Sequence, residues 1–274
     1  MSMISVSIVT FHPDLGVLKK LLEALEKAVA ALAVHDPPGP AAVVRVADNS
    51  VDAAAFRRIG DLLKTCASHL DVELERMPTN LGYGQAHNHC FEDADSTYHL
   101  VLNPDVLIEK NALLEAVCYL EEHTDVGMLT PRVSDENGAQ SYLAKRVPSV
   151  LDLLLRGFAP HFLRRRFAAR LQHYEMRDVI GEQAFGGVPI ASGCFMFFRT
   201  ELLRRLGGFD SGYFMYFEDF DLCMRLNEIS QIAYVPSVRI THFGGGAAKK
   251  GWSHIRMFSI SAFRFFNRWG WKWS

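Results

Sequence analysis

Three carboxylates stand among aromatic side chains in Tyr216-Phe217-Glu218-Asp219-Phe220-Asp221, with Asn103-Pro104-Asp105 far upstream and His242 downstream. A carboxylate in apolar surroundings is harder to ionise, so its pKa rises toward the range useful to a general base. The cluster has an equally good structural reading. Glu218 or Asp219 could cap the helix suggested by Leu222, Arg225 and Leu226, and Asp221 could pair with Arg225 at i,i+4. Asn103-Pro104-Asp105 alone is a strand-terminating turn. It follows the apolar run His99 to Leu102, however, and a carboxylate at a strand end can bind Mg²⁺ or Mn²⁺, hard cations that bridge diphosphate oxygens. An imidazole such as His242, just after the strand-like Val238-Arg239-Ile240, would suit Mn²⁺.

These groups need elements to position them. Ser5 to Thr10 is a β-branched run, followed by a turn at His12-Pro13-Asp14 and a helical pattern through Leu18, Leu21, Leu22, Leu25 and Val29. After the breaker Pro37-Pro38-Gly39-Pro40, Ala42 to Val46 predicts a strand ending at Asp48-Asn49-Ser50, a helix follows through Phe56, Ile59, Leu62 and Leu63, and Val72 to Arg76 is a third strand. Asn80-Leu81-Gly82-Tyr83-Gly84 leads into a helix from Gln85, and Tyr98 to Leu102 is another strand. This alternation predicts a doubly wound parallel sheet in which Thr10, Asp48 and Asp105, all at strand ends, converge on one cleft.

Beyond that the spacing predicts a helix over Leu113 to Leu120, a strand over Val126 to Thr130, and a basic, partly helical excursion from Tyr142 to Asp178. Then come a strand over Ala191 to Phe198, a helix over Thr200 to Leu206 stopped by Gly207-Gly208, the acidic cluster with its helix, and a strand around Ile232 to Val235.

Composition narrows the classes. With 274 residues, 49% hydrophobic and 22% charged, the chain can bury a full core, and a net charge of -2 argues against general nucleic-acid binding. Five cysteines at scattered spacings, with no CxxC pair, read as reduced thiols in a cytosolic protein. Neither a signal peptide nor a run of about 18 apolar residues is present, so secretion and membrane spanning are not expected. Gly82-Tyr83-Gly84 lacks the third glycine and the first-turn position of a dinucleotide fingerprint, and reads as a bend that lets backbone approach a ligand. His87, His89 and Cys90 make a poor zinc site, because i,i+2 spacing turns the histidines to different helix faces.

Taken together, these segments resemble glycosyltransferase family 2, with a GT-A fold, and most resemble bacterial rhamnosyltransferases of surface-polysaccharide synthesis. The resemblance is carried by Val9-Thr10-Phe11-His12-Pro13, Ala47-Asp48-Asn49-Ser50, Asn80 to Gly84 with Asn88, Leu102 to Asp105, Gly193 to Phe198, Gly207 to Asp210, Phe217 to Leu222 and His242. It implies an α/β, Rossmann-like, mostly parallel sheet flanked by helices. It also implies an inverting transfer of a sugar, with dTDP-rhamnose the favoured donor, to a saccharide hydroxyl in polysaccharide or O-antigen synthesis. By the same resemblance, Thr10 and Asp48 would bind base and ribose, and Asn80 and Gly82 would line the donor site. Asp105 would be the metal-binding carboxylate of a DxD-type motif in which Asn103 replaces the first Asp. His242 would be a further ligand to Mg²⁺ or Mn²⁺, Asp219 the general base and Glu218 its neighbour on the acceptor side.

The expected organisation is a catalytic domain over 1–251, with a donor half to about 130 and an acceptor half from about 131, and a C-terminal tail over 252–274. Trp252 to Trp273, if helical, places Arg256, Arg264, Arg268 and Lys272 on one arc and Ile255, Phe258, Phe265, Phe266, Trp269 and Trp273 on the other. That pattern fits an interfacial membrane helix at an anionic inner leaflet, near a lipid-linked acceptor, or a helix packed on the core or on a second subunit of a homodimer. Alternative functions are a transferase using another UDP- or dTDP-sugar, a nucleotidyltransferase, and a noncatalytic nucleotide-sugar-binding module.

Overall fold

The computed structural model describes residues 2–35, 42–67, 70–244 and 251–274; the breaker Pro37 to Pro40 lies outside them. The chain runs β1 (Ser2–Thr10), α1 (Leu15–His35), β2 (Ala42–Asp48), α2 (Ala53–Cys66), β3 (Asp71–Arg76), α3 (Tyr83–Phe91), β4 (Ser96–Leu102), β5 (Val106–Ile108), α4 (Ala112–Glu122), β6 (Val126–Ser134) and β7 (Gln140–Ser141). It continues with α5 (Val150–Gly157), α6 (His161–Arg166), α7 (Ala168–Tyr174), β8 (Phe185–Gly186), β9 (Phe195–Arg199), α8 (Thr200–Leu206), α9 (Glu218–Asn227), β10 (Gln231–His242) and α10 (Trp252–Trp269).

One sheet carries the order β3-β2-β1-β4-β9-β6-β10-β5. The first four strands are parallel, as the alternation predicts. The second half is mixed, because β9 lies antiparallel to both β4 and β6, and β5 antiparallel to β10. The expected doubly wound parallel sheet therefore holds only for the N-terminal half. After β4 the chain makes short reversals, and β5 has only three residues, too few to show a period.

Strand faces and helix stripes close two cores. Leu18, Leu21, Leu22 and Leu25 of α1 are fully buried, and with α2 and α4 they cover one face. Phe91, Leu203, Leu222 and Leu226 from α3, α8 and α9 cover the other. Start and stop signals act where they stand. Asp52 caps α2 by accepting from Ala54 and Ala55 N–H, Ser149 and Asp152 form a capping box on α5, and Gly207 ends α8 in the left-handed region.

The C-terminal helix packs on the chain itself. Phe265 and Phe266 join Tyr213 and Phe217 in a third cluster, and Ser261 Oγ donates to Met215 O at 2.8 Å. Arg264 and Arg268 reach Asp210, and Arg268 and Trp269 reach Asp221. Two of the four basic residues expected to face lipid thus bind carboxylates of the chain itself, Asp210 in the loop before α9 and Asp221 in its first turn. The helix ends at Trp269, so Lys272 and Trp273 leave the predicted arcs, and their carbonyls accept from Val150 and Leu151 N–H. All five cysteines are free thiols.

Candidate active site

The carboxyl ends of the parallel strands build the first wall. Thr10 and Asp48 are paired across β1 and β2, and Thr10 Oγ1 donates to Asp48 Oδ1 at 3.0 Å. Ser50 N and Oγ donate to the same oxygen at 3.1 and 2.6 Å, whereas Oδ2 is buried with no partner. A carboxylate fixed through one oxygen and bare at the other is an acceptor awaiting a ligand N–H or O–H. Asn49 ties this wall to the next turn through Gly82 O and Leu81 N, and Asn80 Oδ1 accepts from Gly82 N at 2.9 Å. Gly82 has φ 79°, and a Cβ there would collide with Phe214 O, so only glycine fits.

Asn103, Pro104 and Asp105 link β4 to β5, and Phe243 N donates to Asp105 O at 2.9 Å, which brings the end of β10 alongside. His242 Nε2 lies 3.4 Å from Asp105 Oδ1. Burial alone would raise the Asp105 carboxyl, but His242 and the Asn103 amide outweigh it and hold the group below its usual value. Asp105 Oδ1 and Asn103 Oδ1 are both buried without a formed hydrogen bond among the described residues. A Cβ on Gly244 would press on His242 Nε2 and Asp105 Oδ2, so the pair sits in a space kept open by glycine. Two oxygens and an imidazole nitrogen form a donor set that fits Mn²⁺ or Mg²⁺. Among the described residues no three His, Cys, Asp or Glu side chains gather, so a cation would take its remaining ligands from substrate and water.

The opposite wall is the start of α9. Tyr216 and Phe217 both take positive φ, 72° and 64°, before Glu218. Neither Glu218 nor Asp219 occupies the cap position, which falls to Phe217, whose side chain makes no cap hydrogen bond. Asp219 instead holds the cleft together, Oδ2 accepting from Gly193 N and Oδ1 from Phe220 N, both at 3.0 Å. Burial raises the Asp219 carboxyl, against the pull of Gly193 N–H and of Lys145. Burial and the Asp219 charge push Glu218 well above the carboxylate range, and its Oε2 has no partner among the described residues. Asp221 does pair with Arg225, at 2.8 Å.

Gly193-Cys194 joins the walls, since Gly193 N holds Asp219 while Cys194 O accepts from Asn103 N at 3.0 Å. Tyr83 OH donates to Gly193 O at 2.5 Å, which adds α3 to the same joint. This also explains why Ala191 to Cys194 are not strand as expected. Their backbone groups serve the cleft and Cys223 Sγ, and only Phe195 to Arg199 remain on the ladder.

Residues 3–258 match the family described as glycosyltransferase-like family 2. The chain belongs to that family. Among curated relatives, it is 27% identical over 157 residues to the rhamnosyltransferase WbbL of Escherichia coli K12, covering 56% of this chain and 54% of that one. It is 28% identical over 189 residues to an N-acetylglucosaminyl-diphospho-decaprenol L-rhamnosyltransferase of Mycobacterium tuberculosis, covering 63% and 59%. The matches thus span little more than half of each relative's length. Solved structures share the fold at low identity. A mannosyltransferase of Pyrobaculum calidifontis with GDP-Man and Mn²⁺ gives TM-score 0.62 at 18% identity over 97% of this chain and 64% of that one. S. aureus TarS with UDP-GlcNAc gives 0.58 at 17% over 97% and 67%. The fold is the GT-A arrangement that the resemblance implied.

On this family 2 fold, Thr10, Asp48, Asn80 and Gly82 fall on one wall, Asn103, Asp105 and His242 at the centre, and Glu218 and Asp219 opposite. His87 and His89 diverge as their spacing predicts, His87 to Ser7 and His89 to Glu75. The sequence reading quotes Tyr83 only as part of the glycine bend, without its bond to Gly193 O, and gives no place to Lys145, whose charge acts on Asp219. A groove of about 620 Å³ between α2 and β3, lined by Phe56, Leu63, Lys64 and Leu74, contains none of these groups.

Proposed function

We propose that the protein is an inverting glycosyltransferase that moves a sugar, L-rhamnose from dTDP-rhamnose in the favoured reading, to a hydroxyl of a lipid-linked saccharide. One observation carries the reaction class. Gly193 N anchors Asp219 at 3.0 Å while the adjoining Cys194 O anchors Asn103 N at 3.0 Å. Asp105 with His242 therefore stands on one side of the joint and Asp219 with Glu218 on the other, a division between two roles that the opposite directions of their pKa shifts support. Asp219, still an acceptor, takes the proton from the attacking hydroxyl with Glu218 beside it. The new C–O bond forms on the face opposite the departing diphosphate. Asp48 Oδ2 receives the nucleoside, with Thr10, Asn80 and Gly82 shaping that wall. A divalent cation, Mg²⁺ or Mn²⁺, would be held by Asp105 and His242, with the Asn103 amide beside them, and would stabilise the charge on the leaving diphosphate.

The rhamnose and lipid-linked assignments rest on the names of the two curated relatives. The donor half spans 1–130, the acceptor half 131–251 and the tail 252–274. For the setting, residues 153–174 and 251–274 carry nine Lys or Arg and no Asp or Glu. Arg164, Arg165, Arg166, Arg256 and Lys272 are exposed there without a carboxylate partner among the described residues. Leu154, Phe158, Phe162, Trp252, Phe263 and Trp273 are each more than half exposed on the same segments. A basic surface studded with aromatics suits a cytoplasmic enzyme resting on the anionic inner face of a membrane. Among the described residues no helix is long and apolar enough to cross one.

A panel of nucleotide sugars, with and without Mn²⁺, tests the reading by melting temperature and by release of nucleoside diphosphate. A stabilising ligand that is also slowly hydrolysed supports it. No hydrolysis of any member, or full transfer in excess EDTA for the cation, refutes the corresponding part.

A further inference from the structure

Lys145 carries an ammonium that no hydrogen bond or ion pair satisfies among the described residues. The residue is 6% exposed, its backbone is locked to Ile190 by two hydrogen bonds of 2.8 and 3.0 Å, and Nζ lies 5.9 Å from the ring centre of Phe220. Phe220 directly follows Asp219. Tyr174, at the end of α7, is 2% exposed; its carbonyl accepts from Arg146 N at 2.9 Å, next to Lys145, and its hydroxyl has no partner. Burial, then the Arg156 charge, drives the Lys145 ammonium down to about 7, while Asp219 and Glu175 pull the other way. An unpaired buried ammonium works against folding, and an apolar side chain of similar length would serve the core better.

The unsatisfied groups are of mixed character. Lys145 Nζ, over the Phe220 ring, and the fully buried Tyr174 hydroxyl offer donors, and the fully buried Glu218 Oε2 offers an acceptor. A phosphate could use only donors and would face Asp219 and Glu218. A polyhydroxylated ring presents oxygens to the first two and hydroxyl protons to the third. Resting on the glycosyltransferase reading, we propose that Lys145 and Tyr174 form the acceptor subsite, gripping hydroxyl oxygens of a neutral sugar ring and turning the attacking hydroxyl toward Asp219.

The test uses the full chain, the donor that the wild type hydrolyses, and octyl glycosides of glucose, galactose, N-acetylglucosamine and rhamnose as acceptor probes. In Lys145→Met the donor-induced rise in melting temperature is retained. The acceptor kcat/KM falls roughly 10- to 100-fold, as for loss of a hydrogen bond to a charged donor, with saturation moved to higher acceptor concentration. Lys145→Arg recovers part of the loss. Tyr174→Phe lowers kcat/KM by about 2- to 10-fold, as for a neutral hydrogen bond. The unliganded Lys145→Met protein melts at or above the wild-type temperature. Wild-type acceptor kcat/KM in Lys145→Met overturns the proposal, as does a wild type that none of the four glycosides saturates. So does a fall in melting temperature with loss of the donor-induced shift, which would show a structural role. A wild type that hydrolyses no nucleotide sugar refutes the transferase reading instead, and that result is read before any variant is made.

Discussion

Truncating Phe265 to alanine is expected to disable the catalytic wall while leaving the protein folded. Phe265 is 1% exposed on the inner face of α10, with ring centres 5.3 Å from Phe217, 6.0 Å from Phe220 and 5.6 Å from Phe266. Phe217 is held at φ 64° and Tyr216 at 72°, a conformation that costs a non-glycine residue roughly 1–3 kcal/mol, so the pair stores about 2–6 kcal/mol. Phe→Ala in a core removes about 3–5 kcal/mol of packing, the same order as the strain it holds in place. The cheapest response is for Tyr216-Phe217 to relax and carry Glu218 and Asp219 with them. A displacement of about 1 Å at a reacting group costs about 100-fold in rate. The transfer kcat should therefore fall about 100-fold at a temperature where the variant is folded. The melting temperature should drop by at most about 10 °C, from ~2–4 °C per kcal/mol in a protein near this size, because the relaxed Tyr216-Phe217 returns part of the packing loss as released strain. Donor binding at the Asp48 wall should persist, and Phe263→Ala, on the outer face where the side chain is 59% exposed, should keep wild-type turnover in detergent-free buffer. Wild-type turnover in folded Phe265→Ala would refute the view that α10 clamps the catalytic segment.

Asp219→Asn should lower turnover roughly 10²–10⁴-fold with donor affinity near normal, measured by steady-state kinetics and donor titration. Glu218→Gln should stabilise the protein at pH 8 but hardly at pH 4. The folded carboxyl titrates above its ordinary 4.5, so the native state binds the extra proton, and wild-type stability is lost as pH rises from 4.5 through the raised value. Melting curves across that range check the sign. Gly82→Ala should destabilise the protein by more than about 1 kcal/mol in denaturant unfolding and weaken nucleotide binding, because the left-handed residue also abuts Phe214 O. Flotation with vesicles should require anionic lipid and weaken with salt. Self-association of the chain instead would assign the exposed aromatics to a subunit interface.

How far the sequence could be read depended on whether a signal was local. β1, β2 and β4 are runs of β-branched and apolar residues, so the strands were visible in the sequence although each runs two or three residues further than read, whereas Thr200 to Leu206, stopped by Gly207, was visible with its limits. Asp219 and Asp105 were visible as chemistry because carboxylates beside aromatics and at strand ends are unusual. The mixed half of the sheet was not visible, because β5, β7 and β8 are two or three residues long. The two faces of α10 were each visible, but not which partner the arginines choose, since Asp210 and Asp221 are more than forty residues away. Lys145 in Leu143-Ala144-Lys145-Arg146 looks like an ordinary basic surface residue. Only the packing of Ile190 and Phe220 makes it a buried charge, whereas its neighbour Arg146 finds Asp178 at 2.7 Å.

The buried polar atoms without a protein partner mark where the fold offers hydrogen-bonding groups to a ligand. Five of the seven among the described residues, on Asp48, Asn103, Asp105, Tyr174 and Glu218, line the proposed donor, cation and acceptor positions; the others are on His87 and Tyr213. A buried polar group without a hydrogen bond costs about 1–3 kcal/mol, a large share of a stability that is itself only ~5–15 kcal/mol. A nucleotide that meets Asp48, a cation that meets Asp105 and an acceptor that meets Tyr174 would each remove part of that penalty. The walls are joined through Gly193-Cys194 and Tyr83, so settling one should stiffen the next. Donor and acceptor should therefore bind with positive coupling, and a variant that loosens the joint, such as Tyr83→Phe, should weaken the coupling more than either affinity alone.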